Sequence, residues 1–169
     1  MALKVVLDMS VETEIRSLIN LKGKITFAEF MDIAMFSPEY GYYNLPHIWG
    51  VQGDYYTSPM VHPCFSAMLA IQLFQMWDVL DQPDPFHVVE LGCGNGILGE
   101  GILSYSRNLS NRFANSLQYI FIDRVARSAH GSGENFQYIE SDRLPVANLT
   151  GCFLSNEILH SFPVHRIMV

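Results

Sequence analysis

The sequence predicts an α/β fold in which a parallel sheet follows a helical N-terminal segment. From residue 86 onward, short apolar runs of strand length alternate with helical or polar stretches, a pattern typical of parallel βαβ units. A glycine-rich turn follows the first of these runs, in the stretch HVVELGCGNGILGE (87–100). The 169 residues, 49% of them hydrophobic, are enough for one domain with a buried core.

Two helices are predicted before residue 40. The first begins after Ser10, a favoured N-cap residue, and ends at Gly23, because apolar residues recur at helical spacing between them. The second begins with a capping box formed by Thr26 and Glu29. It stops before Pro38, since the residue that precedes a proline disfavours the α region.

A loop and a long helix are predicted next. Residues 38–63 are rich in glycine, proline and aromatic residues and show no helical period, which predicts a long ordered loop. A helix is then predicted from about Pro63 to Leu80. Its core stripe is expected to comprise Phe65, Met68, Leu69, Leu73, Met76, Trp77 and Leu80.

The alternation of strand and helix begins after residue 85. Strands are predicted over Phe86–Leu91, Leu117–Ile122, Asn135–Ile139 and Gly151–Ser155, and a helix over Ile97–Tyr105. The intervening polar stretch SRNLSNRFANS (106–116) is interpreted as a connector, and RVARSA (124–129) as a short helical piece. The final HRIMV resembles the start of another strand, so the sheet is expected to be unfinished.

Composition argues against several classes of partner. The net charge is −7, from ten basic and seventeen acidic residues, and no run of lysine or arginine offers a surface for nucleic acid or anionic lipid. No apolar stretch reaches the ~20 residues of a membrane span, and the N-terminus has no features of a signal or transit peptide. Three widely separated cysteines favour free thiols in a reducing cytoplasm.

The glycine turn predicts a nucleotide site, because glycines before a helix let a ligand approach its unpaired N–H groups. The dinucleotide fingerprint requires a glycine at position 97, which is Ile97 here. Instead, an acid is followed by glycines at alternate positions, in the order Glu90, Gly92, Gly94 and Gly96, with Asn95 inside the turn. That pattern resembles the turn of methyltransferases that use S-adenosyl-L-methionine (SAM), so SAM is the predicted cofactor.

Three carboxylates are placed to serve this cofactor. Glu90 is expected to take part in binding the cationic methionine portion, and Asp123, at the end of the second strand, to accept both ribose hydroxyls. Asp142 follows the third strand, where related folds place an acid or amide near adenine N6; a plain loop role is equally open. The alternative for the turn as a whole is a tight strand–helix connection without a ligand.

Four stretches together resemble the MidA-like methyltransferase family, which includes an arginine-methylating assembly factor of mitochondrial complex I. They are, in chain order, ITFAEFMDIAMFSPEYGYY (25–43), GDYYTSP (53–59), VVELGCGNGIL (88–98) and LSNEILHSFPVHR (154–166). The resemblance implies a Rossmann-like SAM-dependent methyltransferase fold with a helical N-terminal segment. Residues 1–84 would form part of the cofactor and substrate cover, and residues 85–169 the first part of the SAM-binding domain.

The resemblance also implies site residues outside the glycine turn. Thr57, Ser58 and Pro59 are expected to close over the cofactor. Asn156 and Glu157, at the end of the fourth strand, are expected to lie beside the transferred methyl group. A plain loop start is the alternative for this last pair.

Three departures from the family pattern qualify the resemblance. His160 stands where the family usually has an aspartate, and is expected to assist Glu157 in proton transfer. Gly101 stands where the family usually has an acid. Family members are also considerably longer, so the fold is expected to be truncated at its C-terminus.

The leading hypothesis is a SAM-dependent methyltransferase whose Glu157 holds a protein arginine side chain and accepts its proton. A carbon or oxygen methyltransferase acting on a small or carrier-bound acyl substrate is the first alternative, motivated by His160. A non-catalytic assembly or binding module is the second. An oligomer or partner is expected to cover the open sheet edge, in the cytoplasm or, for a eukaryotic protein without its transit peptide, in the mitochondrial matrix.

No metal site is predicted. His47, His62, Cys64, His160 and His165 match no common ligand spacing. We interpret them as scattered polar or partly buried side chains.

Overall fold

The computed structural model describes residues 10–46, 48–125 and 135–168. These residues form two compact units, one from residues up to 46 together with those from 159 onward, and a larger one from residues 48–158. The predicted division after residue 84 falls inside the larger unit. The reason is that the long helix before residue 84 packs on the helix that follows the first strand.

The smaller unit contains the two predicted helices, α1 (Val11–Lys22) and α2 (Phe27–Phe36). The hydroxyl of Ser10 accepts the Thr13 N–H at 3.3 Å, and Gly23 ends α1 with a φ of 79°. Two short 3₁₀ helices, Tyr42–Asn44 and Leu159–Ser161, complete the unit. Both predicted helices therefore begin and end at the residues that their caps indicate.

The capping box of α2 is complete. The Glu29 N–H donates to Thr26 Oγ1 at 3.1 Å, and the Thr26 N–H donates to Glu29 Oε2 at 2.7 Å. The Lys22 ammonium lies 2.6 Å from Glu29 Oε1 and, with the Thr26 N–H, lowers the pKa of Glu29 to about 2. The cap therefore stays ionised throughout the neutral range.

The larger unit is built on a four-stranded parallel sheet. Its strands are β1 (Phe86–Leu91), β2 (Leu117–Asp123), β3 (Phe136–Glu140) and β4 (Gly151–Ser155), in the order β3-β2-β1-β4. Its helices are α3 (Ser58–Val61), α4 (Cys64–Val79), α5 (Ile97–Leu109) and α6 (Asn111–Ser116). The strands agree with the predicted ones to within one residue at each end.

The strand order reverses between β1 and β4. The chain runs outward from β1 through β2 to β3, and then returns to the opposite side of β1 to form β4. In register, Glu90 of β1 lies between Phe121 of β2 and Leu154 of β4. Open α/β sheets bind ligands beyond the carboxyl ends of the strands at such a reversal. The fold therefore places the candidate site where β1 and β4 end.

Apolar residues fill both faces of the sheet. The larger cluster lies between the sheet and the helices α4, α5 and α6, and its largest buried side chains include Trp77, Phe86, Phe113 and Tyr119. The smaller cluster, on the opposite face, consists of Val89, Ile120 and Ile122 with Leu91, Ile139, Val146 and Leu149 against them. The central strands β1 and β2 are therefore buried on both faces, as parallel strands usually are.

The prediction of a polar connector over residues 106–116 is wrong. Helix α5 continues to Leu109, and Ser110 then accepts the Phe113 N–H at 3.4 Å as the cap of α6. Phe113 is fully buried, with its ring 5.4 Å from those of Phe74 and Trp77. One aromatic anchor and one serine cap thus make a short helix in a sequence that looks polar.

The predicted core stripe of α4 is partly wrong. The buried residues of α4 are Ser66, Ala70, Leu73 and Trp77, whereas Met68, Met76 and Leu80 are exposed. The reason is the close approach of α5, since a Cβ on Gly101 would lie only 2.5 Å from Ser66 Oγ. Small residues therefore line the α4–α5 contact, and the methionines turn outward. The same contact leaves no space for an acidic side chain at position 101.

Two other predicted pieces have different outcomes. Most of the predicted helical piece RVARSA lies outside the described residues. The described part of HRIMV, residues 165–168, forms no strand. None of the helices among the described residues is both long and apolar enough to cross a membrane.

Gly99→Ala is expected to destabilise the fold. A Cβ at this position of α5 would lie 2.6 Å from Tyr119 Cε1 and closer still to the Phe121 ring. Overpacking of this kind costs about 1–3 kcal/mol, in spite of the ~1 kcal/mol by which alanine favours a helix over glycine. Urea unfolding measures the difference. Glu100→Ala, at the exposed next position, should stay within about 0.5 kcal/mol of the wild type. An equally small effect at Gly99 would contradict the close α5–sheet contact.

Candidate cofactor site

The glycine turn spans residues 92–96 between β1 and α5. Gly92, Gly94 and Gly96 have φ values of 67°, 56° and 76°, a region that side-chain-bearing residues rarely adopt. Gly96 is the N-cap residue of α5 and has no side chain with which to cap it. The spacing of the three glycines thus follows the backbone conformation of the turn itself.

Two of these glycines also make room for other side chains. A Cβ on Gly92 would lie 2.7 Å from Ile158 Cδ1, and one on Gly94 would lie 3.2 Å from Trp49 Cζ2. The turn is therefore packed on one side by the segment after β4 and on another by the loop before α3. Neither Ile158 nor Trp49 was predicted as a site residue, because nothing in the local sequence signals a contact so distant along the chain.

Asn95 supplies the cap that Gly96 lacks. Its Oδ1 accepts the Ile97 N–H at 3.3 Å, at the first turn of α5. This bond satisfies one of the unpaired donors of the helix N-terminus. A direct contact of Asn95 with the cofactor stays a prediction.

Asp123 joins the end of β2 to the glycine turn. Its Oδ2 accepts the Gly94 N–H at 3.1 Å, and its Oδ1 accepts the Val125 N–H at 3.2 Å. A carboxylate has about four acceptor sites, so each oxygen keeps one for a further donor. The side chain is half-buried at the carboxyl edge of the sheet. This arrangement suits the predicted pair of ribose hydroxyls.

Glu90 lies in the core below the turn. It is only 3% exposed, and its Oε2 accepts the Tyr119 hydroxyl at 2.7 Å. Burial, with the nearby charge of Asp123, raises the pKa of Glu90 to about 7, against the lowering effect of hydrogen bonds from Tyr119 and the Gly99 N–H. The observed partners of this carboxyl are thus β2 and α5, and its predicted contact with the methionine portion stays a prediction.

Cys93 is a buried thiol inside the turn. Burial raises its pKa well above the ordinary range, and the charges of Asp123 and Glu90 act in the same direction. The thiolate is the nucleophilic form of cysteine. The electrostatics of the turn therefore disfavour any nucleophilic role for Cys93.

The Thr57-Ser58-Pro59 stretch begins α3. Thr57 is the N-cap residue, and Pro59 is buried in the first turn. Helix α3 packs against α5, the helix that starts at the glycine turn. The fold thus brings the stretch near the predicted site, while its closure over a cofactor stays a prediction.

Asn156 and Glu157 follow β4 at the same edge of the sheet. Glu157 is exposed and has a φ of 54°, which is strained for any residue other than glycine. The next residue, Ile158, packs on Gly92. Strained backbone at a site is a pointer to function, and here it coincides with a residue predicted to be catalytic.

The positions of the remaining predicted residues are as follows. Asp142 lies just after β3, with its side chain about two-thirds exposed and 3.9 Å from the Arg143 guanidinium. His160 lies in the 3₁₀ helix Leu159–Ser161, which belongs to the smaller unit. His47 lies outside the described residues. In the part of the chain that the structure describes, no three His, Cys, Asp or Glu residues group as metal ligands would.

The sheet order, the acid–glycine turn and the acid that ends β2 define the class of the protein. It is a Rossmann-like protein of the SAM-dependent methyltransferase class. Residues 68–169 match the family described as "Putative S-adenosyl-L-methionine-dependent methyltransferase", and the chain belongs to that family. The predicted fold class and cofactor class are confirmed.

Curated relatives carry the name protein arginine methyltransferase NDUFAF7, mitochondrial. The Drosophila melanogaster homologue is 35% identical over 94 residues, which are 56% of this chain and 22% of that protein. The Homo sapiens protein is 34% identical over 93 residues, which are 55% of this chain and 21% of that protein. The chain thus spans about a fifth of the length of these relatives.

Two crystal structures of COG1565 superfamily proteins from Burkholderia thailandensis share the fold. One, bound to S-adenosyl-homocysteine, has a TM-score of 0.75 at 24% identity and covers 90% of this chain and 42% of its own. The other has a TM-score of 0.69 at 24% identity, over 92% and 40% of the two chains. With the NDUFAF7 relatives, they confirm the resemblance to the MidA-like family.

Glu90→Gln is expected to change how stability depends on pH. The folded-state pKa of Glu90, about 7, lies above its ordinary value of 4.5, so between these values the folded state holds a proton that the unfolded state releases. The stabilisation from Glu90 is therefore complete below pH 4.5 and is lost as the pH rises through 7, by about 3 kcal/mol in all. Glutamine keeps the size of the side chain and removes this titration.

The measurement is urea unfolding of both proteins at pH 5, 6, 7 and 8. The difference between their free energies of unfolding should grow in favour of the glutamine variant as the pH rises, because every other titrating group is common to both. If the free energies of unfolding of the two proteins change with pH in parallel, the pKa of Glu90 is not raised.

Proposed function

We propose that the chain binds SAM in the cleft beyond β1 and β4 and belongs to an enzyme that methylates a protein arginine side chain. The observation that carries the proposal is the geometry of Asp123, whose carboxylate is fixed by the Gly94 and Val125 amides and keeps acceptor sites for a ribose. The names of the curated relatives support arginine as the acceptor. Because the chain spans about a fifth of those relatives, activity and substrate are proposed for the whole protein.

The residues at this edge suit SAM chemically. SAM has no phosphate groups, and the turn has no lysine or arginine with which to bind them. When bound, SAM supplies an electrophilic methyl group on a sulfonium. A fixed acceptor such as Asp123 would hold the ribose of the bound cofactor and so help to align it. Alignment of this kind is the main requirement of a direct displacement.

Glu157 is proposed to serve the acceptor. Its exposed carboxylate can orient a guanidinium through two parallel N–H···O bonds and accept the proton that the nitrogen loses. The left-handed backbone at Glu157 fixes the direction in which the side chain leaves β4. Asn156, the preceding residue, is proposed to give the acceptor a second polar contact. The participation of His160 in this proton transfer stays a prediction.

The proposal takes the methyl acceptor and the cellular compartment from the names of the curated relatives. The NDUFAF7 proteins are named as mitochondrial, which supports the mitochondrial matrix as the alternative to the cytoplasm. A protein substrate is favoured over a carrier-bound acyl group for the same reason. A partner or second copy that covers the edge of β4, where Phe153 is 55% exposed, stays a prediction.

Asp123→Asn is expected to weaken the binding of S-adenosyl-homocysteine by about 10- to 100-fold. Hydrogen bonds to a charged group contribute about 1.5–3 kcal/mol, and the amide loses both the charge and one acceptor oxygen. Isothermal titration calorimetry measures the affinity. Asp78→Asn, in the exposed part of α4, is the matched control and should leave it unchanged. If the wild-type chain does not bind S-adenosyl-homocysteine up to millimolar concentrations, the proposed function is wrong for this chain.

Glu157→Gly is expected to separate stability from methyl transfer. Glycine relieves the strained φ of 54° and should raise the free energy of unfolding by up to about 1 kcal/mol. Glu157→Gln keeps the backbone and removes the charge. Both variants should lower transfer from SAM to arginine-bearing protein by at least about 100-fold, a typical loss for a general base.

Asn148 provides the control, because it also has a positive φ, 57°, but lies in the exposed loop before β4. Asn148→Gly should leave methyl transfer unchanged. Transfer to acyl carriers instead of arginine would favour the alternative acceptor. Binding without any transfer would favour a non-catalytic module, and full activity of both Glu157 variants would exclude the proposed role of that residue.

A further inference from the structure

The loop before α3 has a fixed shape although it has almost no regular secondary structure. We call residues 48–55 the aromatic loop. The Tyr55 N–H donates to the Ile48 carbonyl and the Gly50 N–H to the Tyr55 carbonyl, both at 2.9 Å. The rings of Trp49 and Tyr55 lie 5.1 Å apart, and Ile48 is only 3% exposed. These contacts hold Trp49 at one place in the larger unit.

Trp49 is held against the glycine turn. A Cβ on Gly94 would lie 3.2 Å from Cζ2 and 3.4 Å from Cε2 of the indole, so the ring covers the Cα of a buried glycine. A Cβ at this position would require the ring to shift by a few tenths of an ångström, and the positive φ would strain the backbone as well. The indole therefore packs on the middle of the turn, and the positive φ of Gly94 is maintained beneath it.

The residue that Trp49 covers also holds the carboxylate of Asp123. The amide of Gly94 donates to Asp123 Oδ2 at 3.1 Å, and no other part of the glycine turn among the described residues bonds to that side chain. A rotation of the Gly94 peptide would remove this bond and leave the carboxylate held by the Val125 amide alone. Packing on one face of Gly94 thus resists a movement that would disorganise the proposed ribose contact.

We propose that Trp49 is a positioning residue of the cofactor site, which keeps the Gly94 amide on Asp123; its effect on binding rests on the proposed function. The role differs from ordinary core packing. Trp77, the other tryptophan, is more deeply buried than the partly buried Trp49 and donates to the Pro83 carbonyl at 2.9 Å, but it lies in α4. Loss of Trp77 should cost stability alone, whereas loss of Trp49 should change the turn.

Hydrogen exchange of the Gly94 amide tests the ligand-free protein. In Trp49→Ala this amide should exchange at least about tenfold faster than in the wild type, while Trp49→Phe should stay within about threefold. Trp77→Phe controls for a general loss of stability. If Gly94 exchanges no faster in Trp49→Ala than in Trp77→Phe, the inference is wrong, whatever the protein binds.

Titration with S-adenosyl-homocysteine tests the consequence for binding. Trp49→Ala should weaken the affinity of the folded protein by about tenfold, and Trp49→Phe and Trp77→Phe should leave it within about threefold of the wild type. Equal affinities of wild type and Trp49→Ala would overturn the role of Trp49 in binding. A wild type that does not bind at all overturns the proposed function, and the exchange experiment then still decides whether Trp49 holds Gly94.

A double-mutant cycle tests the contact itself. Gly94→Ala adds a methyl group against the indole, so its effect on Asp123 should be smaller once the ring has been removed. The loss of affinity caused by Gly94→Ala should therefore be at least about threefold smaller in the Trp49→Ala background. Strictly additive losses would show that the two residues do not act together.

Discussion

The close packing of α5 between the sheet and α4 is the constraint on which the rest of the site depends. Gly99 faces the rings of Tyr119 and Phe121, and Gly101 faces Ser66, in each case with no space for a Cβ. Two glycines inside one helix cost about 1 kcal/mol each in helix propensity. The benefit is a helix whose N-terminus lies directly beyond β1, and with it the position of the glycine turn.

The buried carboxyl of Glu90 reinforces this packing. It accepts hydrogen bonds from the Tyr119 hydroxyl on β2 and from the Gly99 amide in the first turn of α5, so it links β1 to β2 and to α5. An unpartnered carboxyl so deeply buried would strongly destabilise the fold. Two donors and a raised pKa allow it to remain there, and the acid that begins the motif thereby orients the helix that follows it.

Much of the fold could be predicted from the sequence, since its strands are short, mostly apolar runs and its first helices have clear capping signals. Phe86–Leu91 and Gly151–Ser155 agree with the prediction at both ends. The errors occur where tertiary contact overrides local pattern. Helix α6 depends on one buried ring, that of Phe113, and the buried face of α4 depends on Gly101, which lies well beyond α4 in the chain.

The candidate site also has one part that could be predicted from the sequence and another that could not. The positive φ values of the turn glycines follow from the motif itself, and Asp123 could be picked out because it ends the second predicted strand. The packing of Trp49 on Gly94 does not follow from the motif, because the two lie 45 positions apart and no periodicity relates them. A glycine in such a motif is commonly explained by the ligand that approaches it. Here a Cβ on Gly94 would meet an indole of the protein, and the φ of 56° already favours glycine, so both constraints exist before any cofactor binds.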